Sequence, residues 1–369
     1  MKTRAAVLRE QPGEWEVAEV DLDGPRSREV LVEMVAAGLC HSDDHFLTDD
    51  VPAGHLPLCG GHEGAGIVRE VGPDVTELAV GDHVLTSFVP SCGRCRWCAA
   101  GKQELCDNGD SILLGSQLDG TFRMHAQSAD VATTSGLGTF AQWQVYHELS
   151  CLKIDPALPL ATVVLVSCGV PTGWGSATNA LDITTGDVVV VMGCGGVGIN
   201  AVQGAAHKGA HVVAVDPQPL KREMALKLGA AEAYSHISEA TEYVRSITGG
   251  QGATGAIVTV GVADGAIVGE AFTAVAKGGT VAVTAVGNIR NRGLDVNLVE
   301  LAMYEKRIQG VVYGNGSARL QIPELLGLYR QGTLKLDELV TRRYRLDDIN
   351  QGYEDMHAGL NIRGVLEFQ

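Results

Sequence analysis

The amino-acid sequence predicts an α/β protein with a β-rich domain and a doubly wound domain. Short strand-like runs, separated by glycine and proline, fill the first part of the chain. Further along, the apolar run Val188–Met192 leads into a glycine-rich turn and a helical segment, as a strand buried on both faces of a parallel sheet does. Glycine is abundant, at 47 of 369 residues, which suits many tight turns and close backbone contacts.

The composition indicates a folded protein with a sizeable core and an acidic surface. Hydrophobic residues make up 45% of the chain and charged residues 20%, and its length suits two domains better than one. The formal net charge of −16 disfavours binding to nucleic acid or to an anionic membrane, so we expect neither partner. The first residues, Met1–Arg4, lead into a strand-like run and do not resemble a signal peptide, which favours a cytoplasmic location.

The first part of the chain alternates apolar and polar residues with the period of β-strands. Glycine and proline interrupt these runs about every ten residues, as in an all-β barrel or sandwich. We therefore predict a β-rich domain whose loops carry the chemically reactive residues. The predicted strands are Ala5–Leu8, Trp15–Val17, Val30–Val35, Gly66–Val71 and Gly81–Leu85.

Three residues in this part form a candidate catalytic metal site. Cys40 lies in the stretch Gly38–Asp43, which reads Gly-Leu-Cys-His-Ser-Asp, while His62 follows two glycines and Cys168 lies far downstream. Two cysteines and one histidine make a three-ligand zinc set that leaves the fourth position open for water or a substrate oxygen. A buried core thiol is the alternative for Cys168.

Two acidic residues lie beside these ligands in the sequence. Asp43 follows Cys40 by three residues and is expected to accept the free ring N–H of His62, which would fix the histidine tautomer. Glu63 adds a negative charge next to the metal. We include both residues in the predicted catalytic site.

Four further cysteines lie close together and predict a second metal site: Cys92, Cys95, Cys98 and Cys106. Four thiolates can close a tetrahedral zinc site without an open position, so this site would be structural. Disulfides are the alternative in an oxidising compartment, but nine cysteines in a cytosolic chain favour metal binding or buried thiols. An iron–sulfur cluster is a further alternative, although seven residues separate the third and fourth cysteines here, against three in the usual pattern.

The glycine-rich turn at 193–198 predicts a dinucleotide site. It follows a strand and opens a helix, and a second strand, His211–Val215, ends at Asp216, which is placed to accept both ribose hydroxyls. The Asp216 carboxylate would repel a 2′-phosphate, which favours NAD over NADP, although Lys221 and Arg222 leave NADP open. The predicted cofactor-binding residues of this region are Gly193, Gly195, Gly196, Val197, Gly198, Asp216 and Lys221.

Strands and helices continue to alternate beyond this site, which predicts a doubly wound sheet. We place this domain at residues 170–311, and the first domain at 1–169 and 312–369, with the four-cysteine lobe at 90–110. Further predicted elements are the helix-like run Thr178–Leu181, the helices Ile199–Lys208, Ala266–Ala276 and Ile322–Gln331, and the strands Ala256–Val260, Thr280–Ala285 and Gly310–Tyr313.

Taken together, these motifs resemble those of the zinc-dependent medium-chain alcohol dehydrogenases, over essentially the whole chain. The stretches 38–43 and 60–66, the four-cysteine lobe and the loop 193–198 occur in the order and spacing of that family. The resemblance implies that the β-rich domain is GroES-like and that a Rossmann domain is inserted before the chain returns to it. It also implies two zinc ions per chain, one catalytic and one structural.

The resemblance assigns five further residues. Ser42 and His45 match a hydroxyl and an imidazole that relay the alcohol proton. His41 and Arg363 match basic residues that contact the cofactor pyrophosphate, and Thr172 is expected to pack near the nicotinamide.

The implied activity is hydride transfer between a small alcohol or aldehyde and NAD(H). The stretches 169–175 and 350–353 are most similar to bacterial enzymes that use dimethylnitrosoaniline as electron acceptor and keep their cofactor bound. The resemblance therefore implies a cofactor that is recycled in place, and we also expect a homo-oligomer, either a dimer or a tetramer.

Three other functions stay open at this point. A thiol-adduct formaldehyde dehydrogenase of the same family is one, but residues 107–110 lack the arginine that such enzymes use. A zinc-free quinone reductase or a non-catalytic NAD-binding module would lack the three catalytic ligands, which are present. An NAD-binding redox sensor could use the four-cysteine lobe.

Overall fold

The computed structural model describes residues 1–127 and 129–368, without the side chains of Ser111 and Ile112. The chain divides into two compact units, of which unit 1 comprises Met1–Cys168 and Ser317–Gln369, and unit 2 comprises Gly169–Gly316. The predicted domain boundaries, after residue 169 and before residue 312, lie one and five residues from these positions.

Strands of three sheets account for much of the described chain. Their bounds are β1 (Lys2–Leu8), β2 (Glu16–Leu22), β3 (Glu29–Gly38), β4 (Leu58–Cys59), β5 (Glu63–Val71), β6 (His83–Thr86), β7 (Met124–Ala126), β8 (Ala129–Thr133), β9 (Trp143–His147), β10 (Cys151–Ile154), β11 (Val188–Met192), β12 (His211–Val215), β13 (Glu232–Tyr234), β14 (Ala253–Val258), β15 (Val275–Val283), β16 (Arg307–Gly310), β17 (Val340–Tyr344) and β18 (Arg363–Glu367).

The helices are mostly short. The α-helices are α1 (His41–Leu47), α2 (Arg96–Ala99), α3 (Ser111–Leu114), α4 (Leu160–Val163), α5 (Gly169–Thr178), α6 (Gly198–His207), α7 (Pro219–Lys227), α8 (Ile237–Ile247), α9 (Gly265–Ala274), α10 (Leu298–Met303), α11 (Ala318–Arg330) and α12 (Ile349–His357). Single 3₁₀ turns lie at Gln103–Leu105, Asp107–Asp110, Thr134–Gly136, Glu148–Ser150, Val164–Ser167, Tyr313–Asn315 and Leu346–Asp348. Of the residues described, no one helix meets the length and apolarity that a membrane crossing requires, and only the bent pair 160–167 and 169–178 does so when taken together.

Unit 1 contains a small closed barrel and a larger sheet. The barrel has the strand order β1-β2-β7-β8-β4, and the sheet has the order β10-β6-β5-β3-β18-β17, with β9 also paired to β3. The strand β3 is therefore central: one side pairs with β5, while the other pairs first with β9 and then with β18. The side chains of β3 alternate between two cores, with Val30, Val32 and Met34 in one and Leu31 in the other.

Unit 2 is a parallel sheet flanked by helices. Its six strands run in the order β13-β12-β11-β14-β15-β16, with parallel pairing throughout. All five residues of β11 are buried, as expected for a central strand with helices on both faces. The core of this unit includes Val190, Val213, Val258 and Phe272. The strand order reverses between β11 and β14, which is the position where ligands bind in sheets of this kind.

Several elements differ from the prediction. The helix α1 after Cys40 has no counterpart among the predicted elements; the acidic Asp43 and Asp44 in its first turn favour it through the helix dipole. The helix predicted at 266–276 ends at Ala274, because Val275 begins β15 and pairs with Ala253.

Two other predicted elements are shifted along the chain. The helix predicted at 178–181 lies earlier, at Gly169–Thr178, and the strand predicted at 310–313 is Arg307–Gly310. In both cases the predicted and the observed segments share a single residue, at the end of the observed element.

Candidate metal and cofactor sites

Four buried ligand groups meet in unit 1. The donor atoms of Cys40, His62, Glu63 and Cys168 all lie within 4.8 Å of one another. Cys40 precedes α1, His62 and Glu63 lie at the start of β5, and Cys168 follows the 3₁₀ turn Val164–Ser167. Two thiols, one imidazole and a neighbouring carboxylate are a donor set that fits zinc. The structure thus brings together the three predicted ligands and the predicted neighbouring acid.

Asp43 orients the imidazole of His62. Its Oδ2 lies 2.9 Å from His62 Nδ1, and its Oδ1 accepts a hydrogen bond of 2.9 Å from the backbone N–H of Gly61. Burial lowers the pKa of His62, but the charges of Asp43 and Cys40 outweigh this effect and raise it well above its usual value. The Asp43 carboxylate beside Nδ1 favours hydrogen on that nitrogen, which leaves Nε2 of His62 available to a metal.

The groups around the Cys40 thiol favour its ionised form. Its contact with Cys168 is the largest cause that lowers its pKa, and the positive charges of His62 and Arg363 act in the same direction. These effects outweigh burial, so the pKa of Cys40 lies well below its usual value. Since the thiolate is the metal-binding form, the surroundings favour a ligand over an inert core thiol.

A buried ion pair lies directly beside the ligands. The guanidinium of Arg363 donates hydrogen bonds to Glu63 Oε2 and, at 3.2 Å, to the carbonyl oxygen of Leu39. Arg363 is only 3% exposed and Glu63 is fully buried. Burial raises the pKa of Glu63 to about 7, against the opposing charge of Arg363. The predicted pyrophosphate contact of Arg363 stays a prediction, but the structure shows a partner that the sequence did not indicate.

Gly38 makes room for this ion pair. It lies opposite Glu63 in the antiparallel register of β3 and β5. A Cβ atom at position 38 would lie 1.9 Å from Glu63 Oε2 and 3.0 Å from an Arg363 nitrogen. No other residue type fits here unless the Glu63 side chain moves away.

The predicted relay residues lie on α1. Ser42 and His45 are three residues apart on this helix, so their side chains lie on one face. Ser42 is exposed and its Oγ lies 3.6 Å from Cys40 Sγ, whereas His45 is 3% exposed. His41 Nε2 lies 3.5 Å from Asp44 Oδ2.

The four cysteines of the lobe form the second cluster. The sulfur atoms of Cys92, Cys95, Cys98 and Cys106 lie within 4.8 Å of one another, and all four thiols are free. Backbone N–H groups donate to three of these sulfurs, at 3.2 to 3.5 Å, which is how a polypeptide holds thiolates around a metal. Hydrogen bonds from the backbone N–H groups of Cys98 and Asp107 lower the pKa of Cys95 to about 6. The cluster therefore fits a closed metal site.

The glycine-rich turn of unit 2 connects β11 to α6. Gly193 has a positive φ of 89°, and a Cβ atom at Gly198 would lie 1.7 Å from the carbonyl oxygen of Gly193. By contrast, a Cβ atom at Gly195 would have no atom within 4 Å, so the turn is open there. A tight turn with open space over its middle glycine, at the N-terminus of a helix, fits the pyrophosphate of a dinucleotide.

Asp216 is tied to this turn. Its Oδ2 accepts a hydrogen bond of 2.8 Å from the backbone N–H of Cys194, and its Oδ1 accepts one of 2.9 Å from Gln218. Arg222 donates to the carbonyl oxygen of Asp216 at 2.8 Å. Lys221 lies on α7, one residue before Arg222. These hydrogen bonds fix the position of the Asp216 carboxylate, which is predicted to bind the ribose hydroxyls of the cofactor.

Thr172 lies on α5, which packs closely against α6. A Cβ atom at Gly173 would lie 1.9 Å from the carbonyl oxygen of Val197, so this contact requires glycine. The carbonyl oxygen of Thr172 accepts a hydrogen bond of 2.7 Å from Ser176. The contact of Thr172 with a nicotinamide stays a prediction.

Sequence reasoning missed several residues around the first cluster. His357 on α12 lies 2.9 Å from Asp44 Oδ2, and Asp50 lies 3.4 Å from His45 Nδ1. These contacts depend on how distant segments fold back, and no sequence pattern marks them. Gly38 is the exception, since a glycine two residues before a metal-binding cysteine suggests a close approach.

Comparison with known proteins identifies the relatives of this chain. The family model described as an alcohol dehydrogenase GroES-like domain matches residues 26–156, and the one described as a zinc-binding dehydrogenase matches residues 196–331. Together the two matched segments include the four-cysteine lobe and the last three residues of the glycine-rich turn.

Individual relatives match over nearly the full length. The chain is 48% identical to an NDMA-dependent alcohol dehydrogenase of Amycolatopsis methanolica, covering 99% of both chains. It is 46% identical to alcohol dehydrogenase B of Mycobacterium tuberculosis, covering 100% of this chain and 99% of that one. Among solved structures, benzyl alcohol dehydrogenase from Acinetobacter calcoaceticus has a TM-score of 0.92 at 30% identity, with full coverage of both chains. The predicted fold class, GroES-like plus Rossmann, is confirmed.

The four-cysteine cluster generates a stability prediction. We expect Cys98→Ser to remove one metal equivalent and to lower the free energy of unfolding by more than the ~3 kcal/mol of an ordinary severe point mutation. Elemental analysis and urea denaturation measure the two effects. Cys151→Ser is the control, since it replaces a buried cysteine outside both clusters and should keep the metal content. A stable Cys98→Ser protein with unchanged metal content would contradict the assignment.

The close approach at Gly38 generates a second prediction. We expect Gly38→Ala to lower the free energy of unfolding by about 1–3 kcal/mol or more, because the added methyl group displaces Glu63 from Arg363. Gly24→Ala is the control, because a Cβ atom at Gly24 has no atom within 4 Å. Thermal denaturation of both variants checks the prediction, and equal stabilities would refute it.

Proposed function

Because the chain belongs to the zinc-dependent medium-chain alcohol dehydrogenases, we propose that it oxidises small alcohols with an NAD that stays bound and is recycled in place. The observation that carries this proposal is the buried cluster of Cys40, His62, Glu63 and Cys168, whose donor atoms lie within 4.8 Å of one another. The protein is an oxidoreductase acting on alcohols, and its similarity to an NDMA-dependent relative supports the retained cofactor.

We propose that two zinc ions bind each chain. Cys40, His62 and Cys168 would hold the catalytic ion, and the four cysteines of the lobe would hold the structural one. When bound, the catalytic zinc acts as a Lewis acid that lowers the pKa of an alcohol hydroxyl, and NAD accepts the hydride. Asp43 keeps His62 in the ligating orientation through the contact of 2.9 Å described above. Arg363 offsets the negative charge that Glu63 and the thiolates bring into the buried site.

The chain also supplies a path for the proton. In the proposed reaction Ser42 Oγ takes the hydroxyl proton as its own proton moves on, and Nε2 of His45 receives a proton by way of the ribose hydroxyl that a bound NAD would supply. Ser42 and His45 share one face of α1. His45 is buried, so a further group must carry the proton from its ring to solvent.

We propose that Gly193–Gly198, Asp216 and Thr172 bind NAD, together with His41 and Arg363. The open space over Gly195 and the Asp216 carboxylate at the end of β12 support a dinucleotide with a free ribose 2′-hydroxyl. Lys221 is proposed to contact the same part of the cofactor. The alternatives are not favoured, because the relatives at 46–48% identity bear the names of alcohol dehydrogenases, not of a glutathione-adduct dehydrogenase or a redox sensor.

We further propose a cytoplasmic homo-oligomer. All nine cysteines are described and none forms a disulfide, and the metal-binding clusters need reduced thiols. Among the described strands, β16 pairs with β15 alone and forms an edge of the parallel sheet. The preceding helix α10 exposes Leu298, Val299 and Met303, at 72%, 68% and 74% of their surface. A strand edge beside exposed apolar side chains suits pairing with a second copy.

Removing a catalytic ligand tests the metal part of the proposal. We expect Cys40→Ala to abolish alcohol oxidation while nucleotide binding persists, because the glycine-rich turn belongs to the other unit. Steady-state assays across primary and secondary alcohols measure the first effect, and the NAD(H) released from the dialysed variant on acid denaturation measures the second. Cys59→Ala is the matched control, since it removes a buried thiol outside both clusters. Normal turnover by Cys40→Ala would exclude the proposed mechanism.

Cofactor content tests the retained NAD. We expect extensively dialysed protein to release close to one equivalent of NAD(H) per chain on acid denaturation, and to oxidise alcohols with dimethylnitrosoaniline without added NAD. Chromatography of the released nucleotide and the acceptor assay measure these quantities. If the dialysed protein contains no nucleotide and requires added NAD, the proposal of a retained cofactor is wrong, whereas the proposal of alcohol oxidation still stands.

A further inference from the structure

His45 is buried, and the helix α1 alone does not show how a proton on its ring would reach solvent. The His45 side chain is 4% exposed, at the last turn of α1. The His45 ring centroid lies 5.8 Å from that of His41, and Nδ1 of His45 lies 3.4 Å from Asp50 Oδ2. A buried imidazole that receives a proton needs a neighbouring group that removes it.

The turn after α1 is built to hold Asp50 in this place. The backbone N–H of Val51 donates to the carbonyl oxygen of His45 at 3.2 Å, which folds the chain back over the helix end. The amide of Gln11 clamps the same turn, because its Nε2 donates to the carbonyl oxygens of Phe46 at 2.7 Å and Val51 at 3.2 Å. The carboxylate is therefore anchored through its backbone on both sides of the turn.

The carboxylate itself is also oriented. The hydroxyl of Thr48 donates to Asp50 Oδ2 at 2.8 Å, the same oxygen that faces His45. The Asp50 side chain is 17% exposed, against 4% for His45. Asp50 is thus the more solvent-accessible member of the pair, and it connects the ring to water.

We propose that Asp50 accepts a proton from Nδ1 of His45 and passes it to solvent, so that it completes the proton path of alcohol oxidation. This inference rests on the proposed function, in which Nε2 of His45 receives the alcohol proton. Asp50 acts through His45 and is a positioning residue: its carboxylate selects the tautomer with hydrogen on Nδ1, which leaves the Nε2 lone pair free.

The step balances in atoms and electrons. Each alcohol gives one hydride, with two electrons, to NAD, and its hydroxyl O–H bond breaks with the electron pair kept for the new carbonyl bond. The released proton joins Ser42 Oγ as the Ser42 O–H bond breaks and that proton moves on to form an N–H bond at Nε2 of His45. The N–H bond at Nδ1 breaks as its proton joins the Asp50 carboxylate. Water then takes this proton and restores the Asp50 carboxylate. The imidazole, now protonated at Nε2, regains its Nδ1–H form by exchanging one proton at each ring nitrogen with solvent before the next turnover.

A single-turnover experiment tests the proposal. The zinc-loaded holoenzyme is mixed with an alcohol in weak buffer, and a pH-indicator dye and nicotinamide absorbance report proton release and hydride transfer together. We expect Asp50→Asn to slow proton release by about 10-fold, less than the ~100-fold or more that loss of a general base itself costs. Added imidazole buffer should restore the rate in Asp50→Asn and leave the wild type unchanged, an effect that a merely structural role would not produce.

Asp49→Asn is the matched control. It removes the same charge one residue away, at a backbone φ of 61° that asparagine tolerates as well as aspartate. We expect its proton release to match the wild type. Thr48→Val, which keeps the side-chain shape but removes the hydroxyl that holds Asp50, should slow proton release to a smaller extent.

A measurement independent of turnover accompanies these rates. In protein labelled with ¹⁵N-histidine, the Nδ1 signal of His45, identified by its absence in His45→Gln, should shift in Asp50→Asn and stay in place in Asp49→Asn. Unchanged proton release and an unchanged signal in a folded Asp50→Asn protein would overturn the proposal. If Asp50→Asn does not fold, unchanged proton release in Thr48→Val overturns it. A wild type that oxidises no alcohol would instead refute the proposed function.

Discussion

The buried cluster in unit 1 depends on one electrostatic constraint: its negative charges need a cation within the protein. Two thiols and the carboxylate of Glu63 lie within 4.8 Å of one another around His62, and an unpaired buried charge would cost several kcal/mol. Arg363 supplies the opposite charge from β18. The strand β18 reaches this place because Val365 pairs with Gly38, the residue whose missing side chain admits the ion pair. The register in which β18 pairs with β3 therefore also places the cation that balances the negative charges of the cluster.

The sequence was most informative where chemistry is local. The four cysteines of the lobe and the glycine-rich turn are contiguous patterns, so their geometry follows from a short stretch of chain, and the structure brings each set together. Doubly wound topology was also predictable, since alternating apolar strands and helices allow few arrangements. The helix α1 was not predicted because His41–Leu47 is short and mostly polar, without the apolar periodicity by which helices are recognised.

The remaining features depend on pairings that a sequence does not display. Glu63 and Arg363 are 300 residues apart, and they meet only because two strands both pair with β3. Likewise, Asp50 faces His45 because the amide of Gln11 fixes the turn between them from a separate part of the barrel. The position of a side chain in such a contact is set by strand register and turn geometry, and one residue of slip would remove it.

The discontinuity of unit 1 has a consequence for the order in which the protein is made. On the ribosome, Cys40, His62, Glu63 and Cys168 emerge first, then the whole of unit 2, and only afterwards Arg363. A nascent chain therefore holds its cluster of thiols and carboxylate without the balancing guanidinium while an entire domain is synthesised and folds. Unit 2 can complete its sheet during that interval, whereas the central sheet of unit 1 waits for β18. Assembly of the metal-binding centre therefore waits until the part of unit 1 that follows unit 2 has been synthesised.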